Sequence, residues 1–354
     1  MRVGINLGFG NLHQDLSDAD MFRAEANMGV RAEELGFDTV WAVEHHFDSY
    51  SMCPDNIQLL SWVAARTERI GLGTGAVILP WHDPLRVAEK LITLDILSNG
   101  RAFFGLGRGL SRREYEPFRI SMGESRGRFD EAAQMILSAL ETGVISGDGP
   151  FYPQPKVELR PAPEASFADR IYCVAGSPDS LVSAVAARAR LLAFVIRPVE
   201  ENMPNFTSYR DQYRTAHGVE APPIAINLNL YCHSDGDVAK ERANEYISRF
   251  FYSNVEHYEM AGEHFKGISG YGRHDEQARQ LREFGLENAA ARYSSSALVG
   301  TPDQIIEKLR HVQDVMGTFE LQLAPSFGAM PHDEANASLE LFAKEVLPAV
   351  KQFA

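Results

Sequence analysis

The sequence has few cysteines, no long apolar run and fewer basic than acidic residues, and each shortage excludes a class of protein. The three cysteines (Cys53, Cys173 and Cys232) are far apart and in no CxxC arrangement, so we expect neither a disulfide scaffold nor a structural metal site. No apolar run approaches the roughly 20 residues that span a bilayer. The first residues do not resemble a signal peptide. We therefore expect a cytoplasmic protein that does not contact a membrane.

The charge balance points away from polyanionic partners. The chain of 354 residues has 34 basic against 48 acidic residues and a formal net charge of −14. Because nucleic acids and anionic membranes are bound by basic surfaces, we expect neither as a partner. Local arginines can still hold a small ligand that carries a phosphate. The hydrophobic content of 45% is that of an ordinary globular protein with a substantial core.

Strand-like and helix-like segments alternate along the chain. The predicted strands are Val3–Phe9, Thr39–Val43, Ile70–Leu79, Arg101–Gly107, Ile171–Ala175, Leu191–Ile196, Ala225–His233 and Phe319–Ala324. The predicted helices are Ala19–Leu35, Asp55–Thr67, Pro84–Leu97, Ser125–Thr142, Pro178–Ala189, Glu201–His217, Pro302–Val315 and Glu334–Lys351. Eight β-then-α units in series predict an α/β fold of the (β/α)₈ TIM-barrel type rather than a doubly wound sheet. We expect one domain over residues 1–354.

Two segments depart from an even barrel. Residues 143–163 are rich in glycine and proline and predict a loop with a short strand pair. Residues 251–296 predict a long insertion between strand seven and helix seven, with a glycine-rich centre at 267–272. Long insertions at a barrel mouth are commonly lids, so we predict a mobile lid. The alternative is a static excursion that packs on a partner subunit.

The stretch GFDTVWAVEHHF, residues 36–47, ends a predicted strand in polar groups. In a βα-barrel the C-terminal ends of the strands form the active-site mouth. An acid and two histidines there (Glu44, His45 and His46) indicate proton chemistry. A metal site is not predicted, because neighbours on a strand point to opposite faces and no HxH or HExxH spacing occurs. The alternative is a pair of hydrogen-bonded structural histidines.

Small residues interrupt the third strand in GTGAVILP, residues 73–80. They indicate either a close approach of the backbone to a ligand or a glycine bulge packed inside the barrel. The fourth strand ends in GLGRGL, residues 105–110. This is not a dinucleotide-binding GxGxxG motif, because Leu110 stands where the third glycine would be.

Several groups near the predicted mouth suit a phosphate. Arg108 follows the fourth strand and Arg126 starts the next helix, and two arginines can contact a phosphate in bidentate fashion. Ser177 or Ser180 is placed to cap the helix after the fifth strand. The free N–H groups of such a helix start also favour an anion, although a purely structural cap is the alternative for Ser180.

Together these motifs resemble the flavin-dependent, luciferase-like monooxygenases, and most closely the catalytic α subunit of bacterial luciferase. The resemblance covers nearly the whole chain and is densest over residues 36–110, 171–180 and 299–302. It implies that His45 is the catalytic histidine and that a non-prolyl cis peptide lies beneath the flavin ring at Gly75–Ala76. The flavin-binding positions that it implies are Val43, Gly75, Ala76, Arg108, Leu110, Arg126, Val174, Ala175, Gly176, Ser177 and Ser180.

The resemblance also implies a two-component reaction. Reduced FMN, supplied by a separate flavin reductase, would react with O₂ to give a C4a-(hydro)peroxyflavin that oxygenates a small organic substrate, such as a carbonyl compound. A homodimer is expected. Gly107 stands where the luciferase α subunit has a cysteine, and Phe194 and Phe251 stand near tryptophan positions, which argues against light emission.

Two alternatives to a flavin monooxygenase remain from the sequence. An F420-dependent oxidoreductase of the same superfamily would transfer hydride without consuming oxygen. A non-catalytic partner subunit resembling luciferase β is disfavoured by the intact EHHF motif and by the long insertion, which that subunit lacks.

Overall fold

In a computed structural model of the chain, which describes residues 1–12, 16–268 and 270–353, eight parallel strands close into a barrel. In chain order the strands are β1 (Val3–Leu7), β2 (Thr39–Ala42), β3 (Gly71–Thr74), β4 (Val77–Ile78), β5 (Ala102–Gly107), β6 (Val144–Gly147), β7 (Gln154–Glu158), β8 (Ile171–Val174), β9 (Arg190–Phe194), β10 (Ile224–Cys232), β11 (Leu298–Gly300) and β12 (Phe319–Ala324).

The barrel runs β1, β2, β3, β5, β8, β9, β10, β12 and back to β1. Gly4 lies opposite Thr39 on the neighbouring strand, and Asn227 lies opposite both Phe194 and Gln322. The predicted (β/α)₈ barrel is therefore confirmed. The expected strand pair within residues 143–163 is also present, as the antiparallel hairpin of β6 and β7.

The helices are α1 (Asp18–Glu34), α2 (Asn56–Ala64), α3 (Pro84–Leu97), α4 (Arg112–Tyr115), α5 (Ser125–Thr142), α6 (Pro178–Ala186), α7 (Met203–His217), α8 (Gly236–His257), α9 (Gly272–Phe284), α10 (Leu286–Ser296), α11 (Pro302–Met316), α12 (His332–Leu341) and α13 (Leu347–Val350). Side-chain caps begin several of them, including Ser17, Asp55 and Asp83. Among the described residues, no helix is long and apolar enough to cross a membrane.

Two predicted elements are divided in the structure. The apolar run 70–79 forms β3 and β4 rather than one strand, with a cis peptide between Gly75 and Ala76 separating them. The closing helix is interrupted by a π-helical turn, Phe342–Val346, before α13. Pro348 follows that turn and cannot donate a backbone hydrogen bond, so the regular ladder changes there.

The long insertion begins earlier than its sequence indicated. Between β10 and α11 the chain forms α8, α9, α10 and β11, so the excursion starts at Gly236 rather than near Phe251. Asp235 caps α8 by accepting hydrogen bonds from the backbone N–H groups of Asp237 and Val238. Within the predicted glycine-rich centre, Ser269 lies outside the described residues.

The N-terminal end of the barrel is filled by side chains. Glu320 accepts hydrogen bonds from Arg2 at 3.1 Å, from Arg190 at 3.2 Å and from the Tyr172 hydroxyl at 2.7 Å. Trp41, Tyr172, Leu192 and Ala225 pack above this ionic cluster. Because the base is packed, a ligand has to enter at the C-terminal mouth, where barrels of this type carry their active sites.

Candidate active site

His45 lies at the barrel mouth, three residues past the end of β2, beside the buried carboxylate of Glu114. Its Nδ1 is 3.0 Å from Glu114 Oε1, and the backbone N–H of His46 donates to the same oxygen at 2.9 Å. An ionised carboxylate only accepts hydrogen bonds, so it fixes a proton on Nδ1 of His45. The Nε2 atom then carries a lone pair. It lies 3.3 Å from the Tyr258 hydroxyl oxygen, and in this tautomer the hydroxyl donates to it.

Glu114 has a second imidazole on its other side. His257 Nε2 lies 3.6 Å from Glu114 Oε2, a distance suited to an ion pair rather than a hydrogen bond, and His257 Nδ1 lies 2.9 Å from Asp48 Oδ2. Burial would raise the pKa of Glu114, but its contacts with His45 and His257 outweigh burial and lower it to about 2. Burial would lower the pKa of His257, but Glu114 and Asp48 raise it. Glu114 is therefore ionised, and His257 favours its protonated form.

The same side chains have the composition of a metal site. One ligand-type atom from each of His45, Glu114 and His257 lies within 4.8 Å of the others. Glu114 Oε1 already accepts from two N–H groups, and His257 Nδ1 is bound to a further carboxylate. We interpret the set as a hydrogen-bonded network that handles protons.

A separate carboxylate fixes His46. Glu44 is 2% exposed, and its Oε1 lies 3.2 Å from His46 Nε2 and 2.7 Å from His82 Nε2. Its Oε2 accepts from the backbone N–H of Ile78 at 3.0 Å. Burial would raise the pKa of Glu44, but the two histidines outweigh burial and lower it. His45 and His46 thus serve different carboxylates, and Glu44 also holds the segment that follows the cis peptide.

The cis peptide lies next to the end of β2, and both of its residues, Gly75 and Ala76, are buried. The N–H of Gly75 donates to Ala42 O at 2.8 Å, and the Asn56 side chain donates to Ala42 O at 3.1 Å and to Ala76 O at 3.0 Å. A Cβ added at Gly75 would lie no closer than 3.6 Å to other groups. Val43, the residue after β2, is 8% exposed. The backbone at Gly75 therefore has room for a small group beside it but is not exposed in this conformation.

Two arginines, Arg108 and Arg126, lie at the mouth, and Arg126 lies 3.8 Å from the Asp130 carboxylate on the next turn of α5. Arg108, directly after β5, donates to Gly270 O at 3.2 Å, and Arg126 in the first turn of α5 donates to Ser183 Oγ at 2.7 Å. The buried Nη2 of Arg126 finds no acceptor among the described residues. Burial lowers the pKa of Arg126, and so does the positive charge of Arg108. A bound phosphate would satisfy the orphaned donor and relieve the repulsion.

The start of α6 adds to this positive region. Ser177, and not Ser180, is the N-cap: its side chain accepts from the Ser180 N–H. The Ser180 hydroxyl in turn accepts from the N–H groups of Gly176 and Ser177 at 3.1 and 2.9 Å. Because these N–H groups already have an acceptor, they are not free to bind an anion. An anion here would instead be attracted by the helix dipole and by the arginines.

A cleft of about 510 Å³ lies beside the α6 start and is lined in part by Ser177, Arg197, Gly270 and Arg273. Val174 ends β8 and Ala175 follows it, at the same edge of the barrel. The structure thus brings the predicted phosphate-binding residues to one side of the mouth.

The insertion covers the mouth through aromatic residues. Tyr271 is fully buried, its hydroxyl lies 3.1 Å from Ser125 Oγ, and its ring lies 4.2 Å from the Arg108 guanidinium. Tyr271 and Phe265 pack in an apolar cluster with Trp81, Tyr115 and Met122, and Leu110 packs against that cluster. The end of α8 supplies His257 and Tyr258 to the network of His45. The insertion therefore contacts both the arginines and the histidine.

Sequence reasoning missed Glu114, His257, Tyr258 and Asp48 as partners of His45. Glu114 is 69 positions from His45 and lies in the four-residue helix α4. Tyr258 is 213 positions away, inside the insertion. No spacing rule connects them. The one available signal was Asp48, an acid that follows the EHHF motif directly.

Comparisons with known proteins place the chain among flavin-dependent barrels by sequence and by fold. The family model of the luciferase-like monooxygenases matches residues 1–318. The alkanal monooxygenase alpha chain of Photobacterium leiognathi is 29% identical over 350 residues, covering 97% of this chain and 96% of that protein. The crystal structure of monooxygenase RslO1 from Streptomyces bottropensis superimposes with a TM-score of 0.75 at 29% identity and covers 99% of both chains.

More distant structures share the fold with different cofactors. The oxygenating constituent of 3,6-diketocamphane monooxygenase from Pseudomonas putida, a type II Baeyer-Villiger monooxygenase in complex with FMN, has a TM-score of 0.76 at 18% identity and 99% coverage of both chains. An F420-dependent secondary alcohol dehydrogenase has a TM-score of 0.71 at 16% identity, covering 99% of this chain and 98% of that one. At these identities the comparison establishes the barrel fold alone.

The ionised Glu114 makes stability depend on acid pH. Its pKa of about 2 in the folded protein lies below the ordinary value of 4.5, so its contribution is complete above pH 4.5 and is lost as the pH falls towards 2. Over this interval we expect the free energy of unfolding of the wild type to fall by about 3 kcal/mol more than that of Glu114→Gln. Urea unfolding followed by circular dichroism measures the difference. Glu158→Gln, at an exposed carboxylate, should follow the wild type, and parallel curves for wild type and Glu114→Gln would contradict an ionised Glu114.

Proposed function

The chain belongs to the luciferase-like monooxygenase family, and on that premise we propose that it is a two-component monooxygenase that uses reduced FMN and O₂ to oxygenate a small organic substrate. The observation that carries the proposal is the arrangement of the mouth. Two arginines, one of them with a buried Nη2 that has no acceptor among the described residues, lie on one side, and His45, with Nδ1 held by Glu114 and Nε2 beside the Tyr258 hydroxyl, lies at the end of β2.

The described residues fit a flavin mononucleotide. Arg108 and Arg126, together with the start of α6 at Ser177, would hold the phosphate. The surface of Gly75 and Ala76 would lie beneath the ring, and four further residues of the mouth would line the flavin site: Val43, Leu110, Val174 and Ala175. When bound, reduced FMN supplies the two electrons that activate O₂, and the protein binds, orients and shields it.

His45 would manage the proton of the reaction. Its Nδ1 is committed to Glu114, so Nε2 accepts a proton and later returns it, while the carboxylate stabilises the imidazolium. The His46 side chain is hydrogen-bonded to Glu44 and would have a structural role. A histidine suits this role because its protonation changes in the neutral pH range.

The insertion, including residues 251–296, would act as a lid. Tyr271 and Phe265 place apolar area over the mouth, which would exclude water during oxygen chemistry. Gly267 and Gly270 have φ values of 76° and 80°. These glycines allow the left-handed turns that bring Tyr271 down onto Ser125.

A separate reductase would supply the reduced FMN. The sequence contains no dinucleotide-binding motif for a nicotinamide cofactor, since Leu110 replaces the third glycine of GxGxxG. Flavin would therefore have to exchange between two proteins. Opening of the proposed lid, which contacts Arg108 through Gly270 and Tyr271, would allow such an exchange.

The proposal predicts oxygen transfer that depends on reduced FMN. Protein supplied with reduced FMN, ¹⁸O₂ and a panel of alkanals and cyclic ketones should insert one labelled oxygen atom into a product, read by mass spectrometry. His45→Ala should consume reduced FMN and O₂ but release hydrogen peroxide without product. Hydride transfer from reduced F420 without consumption of oxygen would contradict the proposal and favour the F420-dependent alternative. Oxidation of NADPH by the protein alone would contradict a separate reductase.

The phosphate site gives a second test. Arg108→Ala should weaken binding of FMN about 10- to 100-fold while leaving riboflavin binding nearly unchanged, because a hydrogen bond to a charged group typically contributes about 1.5–3 kcal/mol. Fluorescence titration with both flavins measures this. The matched control is Arg128→Ala. The Arg128 side chain donates to Glu124, the residue that precedes α5, and this variant should bind both flavins as the wild type does. Equal losses of FMN and riboflavin binding in Arg108→Ala would show that Arg108 does not touch the phosphate.

A further inference from the structure

The proposed reaction leaves one buried imidazole at the mouth without a role. His257, the last residue of α8, is 1% exposed. Its ring centre lies 5.3 Å from that of His45 and 4.6 Å from that of Tyr50. Its backbone carbonyl accepts a hydrogen bond from Ser111 at 3.1 Å. His257 is therefore held firmly, one carboxylate away from the proposed base.

Both ring nitrogens of His257 face carboxylates. Nδ1 lies 2.9 Å from Asp48 and Nε2 lies 3.6 Å from Glu114. A neutral imidazole has only one N–H, so it would direct a lone pair at one of the two negative charges. The protonated ring directs an N–H at each. The charged and titratable groups around His257 are His45, Asp48, Tyr50, Arg113, Glu114, Glu256 and Tyr258.

Protonation of His257 lets the charge of Glu114 be offset while His45 stays neutral. Arg113 lies 3.5 Å from Asp48 and 3.7 Å from the solvent-exposed Glu256, so its charge is taken up by these carboxylates and not by Glu114. Protonated His257 then offsets Glu114, and His45 can stay neutral. Without the charge on His257, the buried carboxylate of Glu114 would draw a proton onto His45, because a neighbouring negative charge favours the charged form of an imidazole.

We propose that protonated His257 is a positioning residue that keeps His45 neutral and basic by offsetting the charge of Glu114. The inference rests on the proposed role of His45 as the base of the monooxygenase. His257 belongs to the insertion. The segment that covers the mouth therefore also sets the protonation of the base.

Histidine NMR on the full chain without flavin tests the charges directly. In ring-¹⁵N-labelled wild type at pH 7, His257 should carry two N–H protons and His45 one, on Nδ1. His257→Gln should move the midpoint of His45 protonation upward by about one pH unit or more, the usual effect of a charge within about 4–6 Å. Glu114→Gln should move it downward. The matched control His311→Gln, at a surface pair with Glu200, should leave it unchanged.

Activity provides a second readout that a purely structural role would not move. The acidic limb of the pH–rate profile should shift upward in His257→Gln by the same amount as the NMR midpoint. A neutral His257 at pH 7 in the wild type would overturn the inference, even if the variant failed to fold. An unchanged midpoint of His45 in a folded variant would overturn it too, and so would a stoichiometric metal bound by both histidines. If the NMR results hold but His45→Ala still forms product, the proposed function fails and the charge network stands.

Discussion

One buried carboxylate, Glu114, organises the mouth of this barrel. It is 1% exposed. It contacts the segment after β2 through the His45 side chain and the His46 N–H, and it contacts α8 through His257. A buried charge is costly unless it is paired and hydrogen-bonded. Three segments that are distant in sequence must therefore keep their relative positions to satisfy it. The tautomer of His45, the docking of the insertion and the charge of His257 all follow from this requirement.

The rest of the fold leaves the mouth as the place for chemistry. The ionic cluster of Glu320, Arg2 and Arg190 fills the base of the barrel, and Trp41 and Tyr172 pack above it. The mouth then has two electrostatic regions. Glu114 and Glu44 fix the histidines in one region, while Arg108 and Arg126 occupy the other. A ligand with a phosphate at one end and a reactive ring at the other matches that division.

The sequence predicted the barrel and the residues at its strand ends, but not the contacts between distant segments. Repeated apolar runs followed by amphipathic runs reveal eight β-α units, and barrel geometry brings His45 and Arg108 to one edge. The break between β3 and β4 is invisible to periodicity, although the family resemblance placed the cis peptide at Gly75–Ala76, where the structure has it. The pairing of Glu114 with His257 depends on how the insertion packs, which no local pattern encodes. The start of α8 at Gly236 had one signal in the sequence, which is Asp235, a residue type that commonly caps a helix.

A single-turnover experiment tests the central claim most directly. Protein loaded with reduced FMN without oxygen is mixed rapidly with O₂, and flavin absorbance is followed in time. A shielded mouth with a neutral His45 predicts two phases, in which reduced FMN disappears first and oxidised FMN forms later in a slower step. The His45→Ala variant should shorten the interval between them. Direct conversion in one phase, at the rate of free reduced FMN, would contradict the account.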